Sequence, residues 1–203
     1  MSQESRTFTQ GFSLPAMDMQ YVFREILKAL SSPGTEVALR KPGDVPLLNA
    51  ASMAALLTLT DSTTPLWLDE LTQNNDDLHN YLAFHCGVPV VNEQRRAEFA
   101  VITAQEKRPA LDTFSLGTDE YPDQSTTVIV QVDAFTGERF RCTGPGVKTE
   151  RNFMVSGLDA DFWEERKALM PLFPRGVDIL LTCGHCLIAL PRTSCVEEIS
   201  RCM

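Results

Sequence analysis

Apolar and polar residues follow several different rhythms along this chain, and each change of rhythm marks an element. From Met19, the apolar positions Val22, Phe23, Ile26, Leu27 and Leu30 recur at helical spacing, with Arg24, Glu25 and Lys28 on the other face. That pattern predicts an amphipathic helix with Asp18 as its N-cap. Ser31-Ser32-Pro33-Gly34 ends it, because Pro33 has no amide to donate and Gly34 frees the turn. Leu47–Thr60 is apolar nearly all round and rich in alanine, which predicts a buried helix. Asp76–Phe84 and Asp161–Leu172 are further helices, the latter turning Phe162, Trp163, Leu169 and Met170 inward. Short strand-like runs lie between them at Thr35–Leu39, Pro65–Leu68, Ala97–Thr103, Thr126–Val132 and Arg139–Thr143. Ala134–Glu138 reads as the turn of a hairpin joining the last two runs. Residues 104–125 are the least patterned, with one short helix expected near Ala110–Leu116 and a loop through Gly117 and Pro122.

The strongest pattern is Gly176–Ser194. Two apolar runs, Val177–Thr182 and Leu187–Leu190, flank Cys183-Gly184-His185-Cys186 and are bounded by Pro174, Gly176 and Pro191. Each run is too short for a helix and apolar on both faces, so the pair predicts a hairpin buried between layers. Helices interleave with strands throughout, which indicates an α/β chain with a mixed sheet covered on both faces. No linker composition divides it, so residues 1–203 are read as a single domain, with 1–14 as a flexible arm able to dock Phe8, Phe12 and Leu14.

Composition narrows the function more than the fold. With 43% apolar and 22% charged residues the chain is of ordinary globular type. Its net charge of −9 is shared by both halves and no basic block appears, which argues against nucleic acid or an anionic membrane as a direct partner. No stretch is long and apolar enough to span a bilayer, and the polar start lacks a signal-peptide core, so a cytoplasmic protein is expected. Its six cysteines, at 86, 142, 183, 186, 195 and 202, are then expected to be reduced.

Several residues invite a chemical reading. Cys183-x-x-Cys186 matches the redox motif of disulfide isomerases, yet that chemistry needs a helix N-terminus at the thiol, and the run after Cys186 reads as a strand. Zinc held by this pair with His85 or Cys86 would need a second short-spaced ligand pair, so no metal is expected. Gly144-Pro145-Gly146-Val147-Lys148-Thr149 resembles a phosphate loop only superficially, since no glycine precedes the lysine; its glycines serve either a ligand or merely a turn. Arg24 on the first helix, and Arg192 at the end of the last apolar run, could hold a phosphate or carboxylate bidentately, or could simply be ion-paired. Arg24, Gly144, Gly146 and Arg192 are therefore the candidate ligand-binding residues, and no residue is singled out as catalytic.

Taken in order, further stretches carry a family resemblance: Val22-Phe23-Arg24 through Ala29-Leu30-Ser31-Ser32-Pro33-Gly34, Leu57–Asp61, Thr64–Leu68, Phe84-His85, Thr143–Val147, Pro174–Thr182 and Leu190–Thr193. Together they resemble the H subunit of the carbon–phosphorus lyase core complex, the PhnH family. The resemblance implies a three-layer α/β/α sandwich with a mixed sheet, similar to aminotransferase-type pyridoxal-phosphate-dependent transferases but without the cofactor. It implies a homodimer that assembles with the G, I and J subunits. With G and I, such proteins take part in displacing adenine from MgATP by a phosphonate, giving a ribose 1-phosphonate 5-triphosphate that the iron–sulfur J subunit later cleaves. Lysines 28, 41, 107, 148 and 167 all lie outside strand-like apolar runs, in keeping with the missing cofactor. A scaffold that only recruits partners and a CxxC thiol oxidoreductase are the alternative readings.

Overall fold

Residues 10–44, 47–103 and 107–199 are described by a computed structural model of the chain. Most of the arm read over 1–14 lies outside them. Of its described part, Phe12 is buried in a core cluster whereas Leu14 is exposed.

Helix α1 (Pro15–Ser31) starts before the expected cap: Pro15 supplies a pre-set first turn, and Asp18 reaches back to accept from Leu14 N at 2.9 Å. Strand β1 (Glu36–Ala38), helix α2 (Ala50–Leu59), β2 (Leu66–Leu68) and α4 (Asp76–His85) fall where the pattern put them. Between the last two lies a one-turn helix, α3 (Glu70–Gln73), too short to leave a period in the sequence. Strands β3 (Val90–Val91), β4 (Phe99–Ile102) and β5 (Thr127–Gln131) follow, and the described residues between β4 and β5 include a 3₁₀ turn at Leu111–Thr113 and another at Pro122–Gln124. The chain then runs through β6 (Ala134–Thr143), β7 (Arg151–Ser156), α5 (Ala160–Leu169), β8 (Asp178–Cys183), β9 (Cys186–Leu190) and β10 (Cys195–Glu198).

Seven strands form the main sheet in the order β1-β9-β8-β5-β4-β2-β3. Strands β8, β5, β4, β2 and β3 are parallel, and β9 runs antiparallel to both its neighbours, so the sheet is mixed as expected. The predicted terminal hairpin is present as β8–β9, with Cys183 opposite Cys186. It lies inside the sheet, between β5 and β1.

The expected β5–β6 pairing fails. The runs at Thr126–Val132 and Arg139–Thr143 do not form a hairpin: β5 pairs in parallel with β4 and β8, and β6 belongs to a separate antiparallel sheet, β10-β6-β7. Residues 134–138, read as the turn, are the first half of β6, with a bulge between Ala134 and Glu138. The physical cause is visible in the two runs. Val128, Ile129 and Val130 are apolar on both faces and suit a central parallel strand, whereas Arg139-Phe140-Arg141-Cys142 alternates and suits a sheet with one wet face. Strands β7 and β10 were also not foreseen.

Alternation along the main sheet separates two cores. Leu66, Leu68, Val101, Ile129, Leu180, Leu187 and Ala189 face α1, α2 and α4. Trp67, Ala100, Ile102, Val128, Val130, Ile179, Leu181, Ile188 and Leu190 face the other way, onto Phe140, Phe153 and Val155 of the small sheet and Phe162 and Leu169 of α5. One face is thus covered by helices and the other by a three-stranded sheet with a helix.

Candidate functional site

In open parallel sheets ligands are taken outside the carboxyl ends of the strands. Here that rim is bonded to itself. Asn49 caps α2 by accepting from Ser52 N at 2.9 Å, and its Nδ2 donates to Thr182 O at 3.1 Å. Buried Ser52 Oγ and Thr182 Oγ1 lie 2.7 Å apart, and Gln131 accepts from Asn49 N while donating to Leu47 O at 2.9 Å. At the end of β2, Asp69 is 5% exposed and accepts from Thr103 N at 2.6 Å, Thr103 Oγ1 at 2.7 Å, Thr72 N at 3.1 Å and Thr72 Oγ1 at 2.6 Å. Burial works to raise its pKa, but these hydrogen bonds outweigh it and hold the carboxyl below its ordinary value. The rim's polar groups tie α2 and α3 to the sheet.

The CxxC turn does not support thiol chemistry. Cys186 opens a strand, not a helix, so the dipole that would stabilise a thiolate is missing. Burial, and then the hydrogen bond and charge of Glu36, push the Cys186 thiol up to about 11; burial followed by Glu36 and Asp133 raises Cys183 as well. Both are free cysteines. A thiol oxidoreductase needs the opposite shift and a helix N-terminus at the thiol, and this turn offers neither. His85 packs against the rings of Tyr81 and Phe84. Among the described residues, no group of three or more His, Cys, Asp or Glu gathers at metal-binding distance.

Three of the four candidate residues come together at the opposite rim. Gly144 and Gly146 adopt φ of +123° and +83° in the loop after β6, and a side chain at either would collide with backbone: Thr193 O at 2.8 Å for Gly144, Ser31 O for Gly146. Both are therefore required for close packing, Gly144 against the Pro191–Ser194 turn and Gly146 against the end of α1. Arg192, in that turn, pairs with Asp178 at the start of β8 through Nε and Nη2, and its Nη1 donates to Pro122 O. Arg24 stands apart, exposed on α1.

The most constrained cation in this region escaped sequence reading. Arg166 of α5 is 6% exposed, and its Nη2 donates to Pro191 O at 3.1 Å, Ser194 O at 2.9 Å and Ser194 Oγ at 2.8 Å. Desolvation lowers its pKa to about 10, so it stays charged at neutral pH. The signal was present: position 166 falls on the same face as Phe162 and Leu169, the inward stripe of α5. Beside it lies a pit of about 10 Å³ lined by Arg166, Arg175, Val177 and Arg192 among others. Met170 and Arg192 also line an adjoining open pocket of about 260 Å³, whose other walls are Pro145, Phe173 and Thr193.

Two comparisons bear on what this surface belongs to. Over 200 residues, covering 98% of the chain and the whole of the relative, it is 34% identical to the alpha-D-ribose 1-methylphosphonate 5-triphosphate synthase subunit PhnH of Rhizobium meliloti (strain 1021). Over 179 residues, 86% of the chain and 84% of the relative, it is 36% identical to a putative C-P lyase subunit protein HtxG of Stutzerimonas stutzeri. The sequence profile of the bacterial phosphonate metabolism protein family, PhnH, matches residues 10–197. The chain belongs to the PhnH family of phosphonate metabolism proteins.

Proposed function

We propose that this chain is the H subunit of a carbon–phosphorus lyase system, required with G- and I-type partners for phosphonate to displace adenine from MgATP. In that step the ribose C1–adenine bond breaks and a bond from C1 to a phosphonate oxygen forms, leaving ribose 1-methylphosphonate 5-triphosphate when methylphosphonate is the substrate. The observation that carries this reading is the 34% identity to the rhizobial synthase subunit over 98% of the chain and the whole of the relative.

In the same reading the chain forms a homodimer, joins G, I and J subunits in the cytoplasm, and binds no pyridoxal phosphate itself, MgATP being a co-substrate of the assembly. Kinship of the mixed sheet with aminotransferase-type α/β/α sandwiches belongs to this proposal too. The loop at Gly144 and Gly146 with Arg192, and more distantly Arg24, supply the surface offered to substrate or partner. Among the described residues no helix is long and apolar enough to cross a membrane. The test is reconstitution of G, I and J with and without this chain, following adenine release from MgATP and methylphosphonate. Release should fall to background when the chain is omitted; undiminished release would refute the assignment.

A further inference from the structure

Arg166 is a buried cation whose partners are carbonyl and hydroxyl oxygens rather than a carboxylate. Among the described residues its three hydrogen bonds all leave from Nη2, so Nε and Nη1 have no partner there, beside the pit that the residue lines. Asp178, the carboxylate whose charge reaches it, is already engaged by Arg192. A desolvated guanidinium left in this state is costly, and an anion on its free edge would offset that cost. Arg175 also lines the pit; among the described residues it is ion-paired with exposed Asp119 alone, Nε to Oδ1 at 3.3 Å and out of line for a hydrogen bond. The pit is the size of a single water or of one oxygen, and it adjoins the larger pocket through Met170 and Arg192. Phe173, 62% exposed, gives that pocket an apolar wall.

We propose that Arg166, Arg175 and Arg192 form a subsite for a tetrahedral oxyanion carrying a small apolar substituent, one oxygen entering the pit against Arg166 and the substituent lying on Met170 and Phe173. The subsite deepens the function proposed above, on which the choice of an alkylphosphonate as the anion rests. Arg192 contributes charge to the wall while remaining paired with Asp178. Arg166 and Arg175 supply the free donors, with the planar geometry that suits phosphonate oxygens.

The test uses the full chain alone, labelled for observation of arginine Nε–H resonances and titrated with methylphosphonate at constant ionic strength. The Arg166 resonance should shift saturably. Arg175→Gln, at a position whose side chain is 42% exposed, should raise the Kd about tenfold, equivalent to about 1.4 kcal/mol. Inorganic phosphate should bind more weakly than methylphosphonate, and Phe173→Ala should remove that difference. An unmoved Arg166 resonance, or a Kd unchanged by Arg175→Gln, overturns the subsite. Equal affinity for phosphate overturns its assignment to an alkyl-bearing anion. Because partner subunits are absent from this titration, its failure leaves the adenine-release assay to judge the subunit's role independently.

Discussion

Substituting Thr182 by valine gives a sharp test of how the carboxyl rim is built. The side chain is fully buried, and its Oγ1 contacts Ser52 Oγ at 2.7 Å, Asn49 Nδ2 at 3.3 Å and Val130 O at 3.3 Å. Valine keeps the shape and removes the hydroxyl. Asn49 Nδ2 still has Thr182 O, but Ser52, itself fully buried, loses its partner on β8. An unsatisfied buried hydroxyl costs about 1–3 kcal/mol, so Thr182→Val should destabilise by roughly 2 kcal/mol. Ser52→Ala should cost less, under about 1 kcal/mol, because Thr182 Oγ1 keeps two other partners. In the double variant no orphan remains, and its stability should match or exceed that of Thr182→Val, a coupling at least as large as the whole Ser52→Ala cost. Urea unfolding of the four proteins, compared at a common m value, measures this directly. Additive losses in the double variant, or a Thr182→Val cost no larger than that of Ser52→Ala, would refute the account of the rim.

Three further outcomes follow from the same structure. Asp69→Asn should cost about 2–3 kcal/mol at neutral pH, since the amide cannot accept all four donors. Because folding lowers this carboxyl's pKa, its contribution is fully present above the ordinary value of 3.8 and is lost as pH falls through the depressed folded one. The difference between wild type and Asp69→Asn should therefore shrink in acid unfolding series below pH 3.8. Cys186, with its thiol at about 11, should alkylate far more slowly than a free cysteine at pH 8, and Glu36→Gln should speed the reaction by lowering that pKa; rapid labelling of the native chain would contradict the structure. Gly146→Ala should lose more than about 1 kcal/mol in thermal or urea unfolding, because both its φ and the Ser31 carbonyl oppose a side chain.

What could be read from the chain followed the residues whose surroundings are set locally. The β8–β9 hairpin was legible because two apolar runs and a glycine turn leave one arrangement, and α2 because its helix is apolar on every side. Pairing between distant segments left less trace. Strand β7 lies where a short alternation, Phe153 and Val155 buried against exposed Asn152 and Met154, directly follows the charged pair Glu150-Arg151, and β10 carries two glutamates in four residues. The supposed β5–β6 hairpin shows the same limit: adjacency in sequence favoured it, but burial on both faces sent β5 to the main sheet. Gly144, Gly146 and Arg192 stand out by residue type alone, and they share one corner of the molecule. Arg166 was passed over because a charged residue in an amphipathic helix is ordinarily assigned to the wet side, and only tertiary packing shows it facing Ser194.

The alternation along β8 has a consequence for how this sequence can change. Leu180 and Leu181 are bonded neighbours, yet each answers to a different set of side chains, one among the helices and the other among the aromatic residues of the small sheet. A volume lost at one can be restored only from its own side, because the backbone layer between them does not yield. Variation in this family is therefore expected to be correlated within each half and nearly independent across the sheet, with paired substitutions at opposite faces adding in their effect on stability.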